Sequence, residues 1–292
     1  MPLRAAGKVE VVTSIAPVHS LVARVMQGRV MQGAGEPHLL LPPGASPHDH
    51  ALRPSDAAAL ERAALVFWVG PRLEPWLERS LTTLAAGARV IRLANIPGLT
   101  RLAPRKGAAF EAHETEPAHA ADETDPHLWL DPSNAKLWLA AIAAALAEAD
   151  PSSRALYIAN ANTAQADLDA LTADIDTRLA PVRGRPYVVF HDAFHYFERR
   201  FAIEASGAVA LGDARAPGPA RIARIRQRIR ALGAVCLFHE PQFRSALVAT
   251  VAEGTGVQTG LLDPLGASLQ PGPDLYPDLL RGLAGSLAAC LE

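Results

Sequence analysis

Tyr187-Val188-Val189-Phe190-His191-Asp192-Ala193-Phe194-His195-Tyr196 is the stretch that decides the fold. Four β-prone, apolar residues with no polar alternation describe a strand covered on both faces, as in parallel sheets. A histidine then stands where that strand ends, and a helical pattern over residues 193–200 follows at once. The same strand-then-helix rhythm recurs in both directions. Residues 9–13 precede a helix at 18–26, 65–69 precede one at 74–84, and 89–93 runs into a loop. Beyond the quoted stretch, 235–238 precedes 244–253, and 257–262 precedes 276–291. Strands alternating with helices of this size predict an α/β protein with central parallel sheets flanked by helices.

Two Ala-rich helices lie between the halves, at 133–149 and 152–179, separated by Asp150-Pro151. In the second, Leu156, Leu168, Leu171, Ile175 and Leu179 follow helical spacing until Pro181 and Gly184 end it. About 28 residues at 1.5 Å each make a rigid strut of roughly 40 Å rather than a hinge. The expected organisation is an N-terminal lobe over 8–150, a linking helix over 151–182 and a C-terminal lobe over 183–292, each lobe burying its own core. No short-period repeat is evident.

Composition narrows the function. The 292 residues are 49% hydrophobic and 20% charged with a net charge of −2, which argues against nucleic acid as a partner. The longest apolar run, 137–147, falls short of the roughly 20 residues that span a bilayer. Residues 1–8 lack the apolar region of a signal peptide, so the chain is either cytoplasmic or a mature form with an artificial start. Cys236 and Cys290 are compatible with two buried thiols or with a structural disulfide, which needs an oxidising compartment.

Histidines carry the chemistry. Ligands of α/β sheets bind beyond the carboxyl ends of the strands, where His191 and Asp263 both stand, the latter in Leu262-Asp263-Pro264-Leu265-Gly266. His48 lies in the proline-rich turn Pro42-Pro43-Gly44-Ala45-Ser46-Pro47-His48-Asp49-His50, before a helix with Ser55 as its expected cap. His127 lies in Asp125-Pro126-His127-Leu128-Trp129-Leu130-Asp131-Pro132. Proline-flanked turns hold a side chain at a fixed angle, which suits a preorganised ligand. Three imidazoles plus a carboxylate suit tetrahedral Zn(II), whereas an all-oxygen set suits Mn(II) or Mg(II). Residues 104–125 are acidic and nearly devoid of large apolar groups, and include His113, Glu116 and His119. They read as a solvated linker or as an auxiliary, weak metal-collecting loop.

These motifs together resemble the zinc-binding periplasmic components of ABC transporters, the cluster A-I (ZnuA/TroA-like) solute-binding proteins. The matching stretches are Gly-Ala-Ser-Pro-His48-Asp-His-Ala-Leu-Arg-Pro-Ser-Asp, Asp-Pro-His127-Leu-Trp-Leu-Asp-Pro, Val-Phe-His191-Asp-Ala-Phe-His-Tyr-Phe and Leu-Asp263-Pro-Leu-Gly, with Glu240-Pro-Gln-Phe beside them. The resemblance implies metal binding by His48, His127 and His191, with Asp263 as a fourth group, in a cleft between two lobes. It also implies delivery of Zn(II) to the membrane permease of a zinc ABC transporter, a periplasmic location, a monomer, and no catalysis. A disulfide between Cys236 and Cys290 is implied as well, worth about 4 kcal/mol in the chain-entropy model. Manganese-binding relatives replace the third histidine by a carboxylate, and this chain keeps His191, which favours zinc. His50 departs from the family, which usually has an aromatic residue there.

Three rivals share parts of this pattern. A manganese-binding or adhesin-type protein of the same family, or an intracellular metallochaperone, would share the site. A zinc-dependent hydrolase would use His191 and His195, which have the spacing of the His-Glu-x-x-His helix. That chemistry needs a glutamate beside the first histidine, and Asp192 stands there, with His191 at a strand end.

Overall fold

A computed structural model describes residues 9–29, 35–105, 124–210 and 218–292. The N-terminal lobe runs β1 (Val11–Thr13), α1 (Ala16–Val25), β2 (His38–Leu39), α2 (Pro54–Arg62), β3 (Leu65–Trp68), α3 (Pro75–Leu84) and β4 (Arg89–Arg92). Helices α4 (Pro132–Ala149) and α5 (Arg154–Leu179) follow. The C-terminal lobe runs β5 (Tyr187–His191), α6 (His195–Phe201), β6 (Gly207–Ala210), α7 (Pro219–Leu232), β7 (Cys236–His239), α8 (Ser245–Ala252), β8 (Gln258–Leu261) and α9 (Leu275–Leu291).

Each lobe holds one parallel four-stranded sheet, ordered β2-β1-β3-β4 and β6-β5-β7-β8. Topologically the two are the same: the first strand sits inside, the second on its outer side, and the third and fourth extend the other way. All strands run the same way, but the order of connection reverses between β5 and β7, which pair in parallel with Val189 beside Phe238. This reversal opens a crevice beyond their carboxyl ends, because the crossover helices leave to opposite faces. The central strands β3 and β5 are buried at every residue, which accounts for their unbroken apolar runs.

Two sequence expectations change here. First, the lobes share a core in addition to the one that each buries by itself. Val12, Leu60, Val66 and Leu77 fill one face of the N-terminal sheet alone, and Val188, Phe190, Ile225, Ile229 and Val251 one face of the C-terminal sheet. The largest cluster, however, runs through both lobes from Val11 to Leu291, with Trp138, Leu139 and Ile142 of α4 at 0% exposure. Helix α9 leaves the C-terminal sheet and returns to the N-terminal lobe. There Tyr276 donates from its hydroxyl to the Trp129 carbonyl at 2.6 Å, and Trp129 Nε1 donates to Pro264 O at 2.7 Å. Second, α2 is capped by Asp56, not Ser55: its carboxylate accepts the Arg53 N–H at 3.1 Å, with Pro54 opening the helix.

Strand β6 and helix α7 were not legible beforehand. The strand is only four residues, and α7 interleaves five arginines with isoleucines, so that among its described side chains Ile225 and Ile229 are the buried ones. The linking helix α5 was legible. Its 26 residues bury Tyr157, Ala161, Ala164, Leu168, Leu171, Ile175 and Leu179, one stripe at spacings of three and four. That stripe packs into the shared core, so α5 is a strut held along its length.

Candidate metal centre

His191 ends β5, so its side chain emerges at the crevice of the C-terminal sheet. His48 is carried by the turn after β2. Gly44, at φ 78°, adopts the left-handed conformation this turn needs, and the Ala45 N–H closes it on Pro42 O at 3.2 Å. Trp76 of α3 then pins the far side, its Nε1 donating to Pro47 O at 2.8 Å while the His50 ring stands edge-on to it at 4.9 Å. His127 stands between Asp125-Pro126 and a short 3-10 turn, Leu128–Leu130, that runs into α4. Asp131 caps α4 by accepting the Ser133 N–H at 2.8 Å.

These three separate segments bring their imidazoles together. One ring nitrogen from each of His48, His127 and His191 lies within 4.8 Å of the others, and the ring centroids are 5.2–5.6 Å apart. Around a tetrahedral zinc with bonds of about 2.05 Å the nitrogens would stand about 3.3 Å apart. His127 and His191 are 4% and 3% exposed, and His48 is half-buried.

Two of the rings are oriented from behind. Asp125 Oδ1 accepts both the backbone N–H of His127, at 2.9 Å, and its ring Nδ1–H, at 2.8 Å. Burial pushes the Asp125 carboxyl up, but the charge and hydrogen bonds of His127 outweigh this and hold it below the usual carboxylate range. An ionised carboxylate only accepts, so Nδ1 of His127 carries a hydrogen, and the neutral ring that binds metal would present the lone pair of Nε2. Glu240 does the same for His191, with Oε2 3.2 Å from Nδ1, and Gln242 Nε2 donates to that oxygen at 2.6 Å. Carboxylates behind metal-binding imidazoles fix the ring and raise its basicity.

Asp263 sits elsewhere in this arrangement. Its two oxygens accept the N–H groups of Leu265, Gly266 and Ala267 at 3.0, 2.8 and 2.6 Å, and it is not part of the three-histidine cluster. It builds the turn whose Pro264 and Leu265 wall the site. The site itself encloses a cavity of about 10 Å³ among Pro47, His48, His127, Trp129, His191 and Glu240, room for one ion or one water and nothing larger.

His195, the hydrolase candidate, opens α6 and is 3% exposed. Its Nδ1 lies 3.9 Å from Asp125 Oδ2, and it does not join the cluster. His113, Glu116 and His119 lie outside the described residues. Cys236 and Cys290 are joined in a disulfide, tying β7 to α9 across 54 positions.

Sequence reasoning missed Asp125 and Glu240 as the orienting carboxylates. Asp125 had a usable signal, since an acceptor two residues before His127 reaches that residue's own N–H. Glu240 lies 49 positions from His191 and had none of that kind.

Residues 11–290 match the family model described as the zinc-uptake complex component A, periplasmic (ZnuA). The high-affinity zinc uptake system protein ZnuA of Brucella suis is 44% identical over 310 aligned positions, covering 97% of this chain and 91% of that protein. The protein of the same name from Paracoccus denitrificans is 40% identical, covering 96% and 91%. Among solved structures, a crystal structure of ZnuA superposes with a TM-score of 0.81 at 24% identity, covering 98% of this chain and all of that one. The periplasmic zinc-binding protein TroA of Treponema pallidum gives 0.78 at 24%, and a manganese-bound periplasmic protein of Candidatus Liberibacter asiaticus 0.75 at 20%. The likeness to these structures concerns the fold.

Proposed function

The chain belongs to the family of periplasmic zinc-uptake components, and from that membership we propose that it captures one Zn(II) on His48, His127 and His191 and hands it to the membrane permease of an ABC transporter. It is a solute-binding protein of a transport system and not an enzyme. The observation that carries the metal assignment is the convergence of three imidazoles from both lobes, two of them backed by buried carboxylates, on a cavity of about 10 Å³.

Zinc is favoured because the donor set is nitrogen only. Asp125 and Glu240 spend an oxygen on ring N–H groups and Asp263 spends both on backbone N–H groups. Imidazole suits zinc, whereas manganese prefers carboxylate and carbonyl oxygen. With Asp263 turned to its own backbone, a water would fill the fourth position and the ion would remain exchangeable. An open position of this kind suits cargo that must be passed on, in contrast to the closed shell of a structural zinc. An extracytoplasmic location agrees with the Cys236–Cys290 disulfide, since such bonds persist in oxidising compartments. No helix among the described residues is long and apolar enough to cross a membrane.

The test is zinc competition titration of His48→Ala, His127→Ala and His191→Ala, with circular dichroism as the folding control and X-ray absorption of the wild-type complex. Each variant should fold and lose at least about tenfold in affinity, and the wild-type spectrum should show four nitrogen or oxygen ligands, three of them with the multiple scattering of an imidazole ring. Undiminished tight binding in the three variants would refute the assignment.

A further inference from the structure

Beside the metal centre lies a second buried cluster that plays no part in ligation. Arg105 follows β4 in the N-terminal portion of the chain, yet its guanidinium reaches the C-terminal lobe. Nε donates to Asp192 Oδ1 and Oδ2 at 3.0 and 3.1 Å, NH1 to Glu198 Oε2 at 2.6 Å, and NH2 also to Asp192. Arginine is 10% exposed, Asp192 5% and Glu198 1%. One cation thus faces two carboxylates away from water, an arrangement that needs the planar fork of arginine.

The connections from this cluster lead to the ligands. Asp192 directly follows His191 in the chain. On the other side, Leu102 O accepts the Asp125 N–H at 2.8 Å, so the Arg105 segment is paired with the one that orients His127. Tyr196 of α6 ties both: its hydroxyl accepts the Leu102 N–H at 3.0 Å and donates to Asp125 O at 3.2 Å. The circuit His127–Asp125–Leu102–Arg105–Asp192–His191 therefore closes from one lobe to the other without the metal.

We infer that Arg105 is a positioning residue, a latch between the lobes that holds His127 and His191 at binding distance before the ion arrives. A cleft held open until metal joined it would have to form these contacts at the moment of binding. These contacts use no ligand atom of His127 or His191, so they can form independently of the ion and spare binding that ordering cost. The latch should slow zinc release more than it speeds capture, because its loss lets the two ligands drift apart once one bond breaks.

This inference rests on the metal reading above, and the experiment separates the two. Arg105→Lys keeps the charge but loses the fork, and Tyr196→Phe removes a single hydroxyl. Three readouts apply: zinc dissociation into a chelator, the visible absorption band of the cobalt(II) form, and amide hydrogen exchange of the metal-free protein. Both variants should release zinc about tenfold faster or more, show a weaker tetrahedral cobalt band, and exchange the Leu102 and Asp125 amides faster without metal. Wild-type release and an unchanged cobalt band would overturn the latch, even if melting temperature falls. Should Arg105→Lys fail to fold, Tyr196→Phe decides by the same criteria. A wild-type protein that takes up no stoichiometric cobalt would overturn the metal reading itself, and the latch with it.

Discussion

Replacing Asp125 by alanine isolates the contribution of an orienting carboxylate, because Asp125 touches His127 but does not face the cavity. The substitution removes one acceptor that serves two donors, the ring Nδ1–H at 2.8 Å and the backbone N–H at 2.9 Å. A hydrogen bond to a charged group contributes about 1.5–3 kcal/mol. Both metal-free and metal-bound protein lose it, so only the difference appears in affinity. Zinc draws electron density from the imidazole and makes its Nδ1–H a stronger donor, so the bound state loses more. The freed ring can also rotate and offer the wrong nitrogen. The expected loss is 10–100-fold, about 1.4–2.7 kcal/mol. Asp125→Asn, which keeps an acceptor without the charge, should fall between wild type and alanine. The assay is competition against a chelator of known affinity at one fixed pH. A dissociation constant for Asp125→Ala within about twofold of wild type would refute the claim that this carboxylate prepares the ligand.

Other consequences follow from the same structure. Glu240→Ala should weaken zinc by a similar 10–100-fold through His191, and the double variant with Asp125→Ala should be close to additive if the two rings are oriented independently; a silent Glu240→Ala would contradict its role. Zinc affinity should fall between pH 7.5 and 5.5, because protons compete for the imidazole nitrogens that hold the metal; a flat titration is incompatible with three histidine ligands. Changing Cys236 and Cys290 to alanine should lower the unfolding free energy in urea by about 4 kcal/mol for a crosslink spanning 54 positions, and a change below about 1 kcal/mol would mean the reduced chain is already constrained. Asp150 gives an acid-sensitive element. Burial pushes its carboxyl up, but bonds from Ser152, Ser153, Arg29 and Tyr157 win and hold it well below the usual carboxylate range. A depressed folded value means the stabilisation is present above about pH 4, the unfolded value, and is lost as pH falls further. Asp150→Asn should therefore cost about 2 kcal/mol at pH 7 and much less near pH 2, measured by urea unfolding at both; an equal cost at both would exclude the mechanism.

What could be read from the chain alone was whatever depends on neighbours in sequence. The unbroken apolar run at 187–190 required a strand buried on both faces, and strand–helix alternation required parallel sheets. The stripe along α5 required a long strut packed on one side. Proline-bounded turns marked His48 and His127 as held residues, and the end of β5 marked His191. Tertiary structure alone decided which groups meet across the fold. Glu240 serves His191 because β5 and β7 are sheet neighbours, at a separation of 49 positions that no local pattern encodes. Arg105 finds Asp192 across 87 positions because the lobes pack face to face. Asp263, placed by sequence at the same sheet edge as His191, spends its oxygens on three backbone N–H groups of its own turn, a local alternative open to any aspartate beside such donors. Periodicity and turn chemistry report on bonds a few residues long, whereas the orientation of each ligand depends on sheet order and on a core that both lobes share.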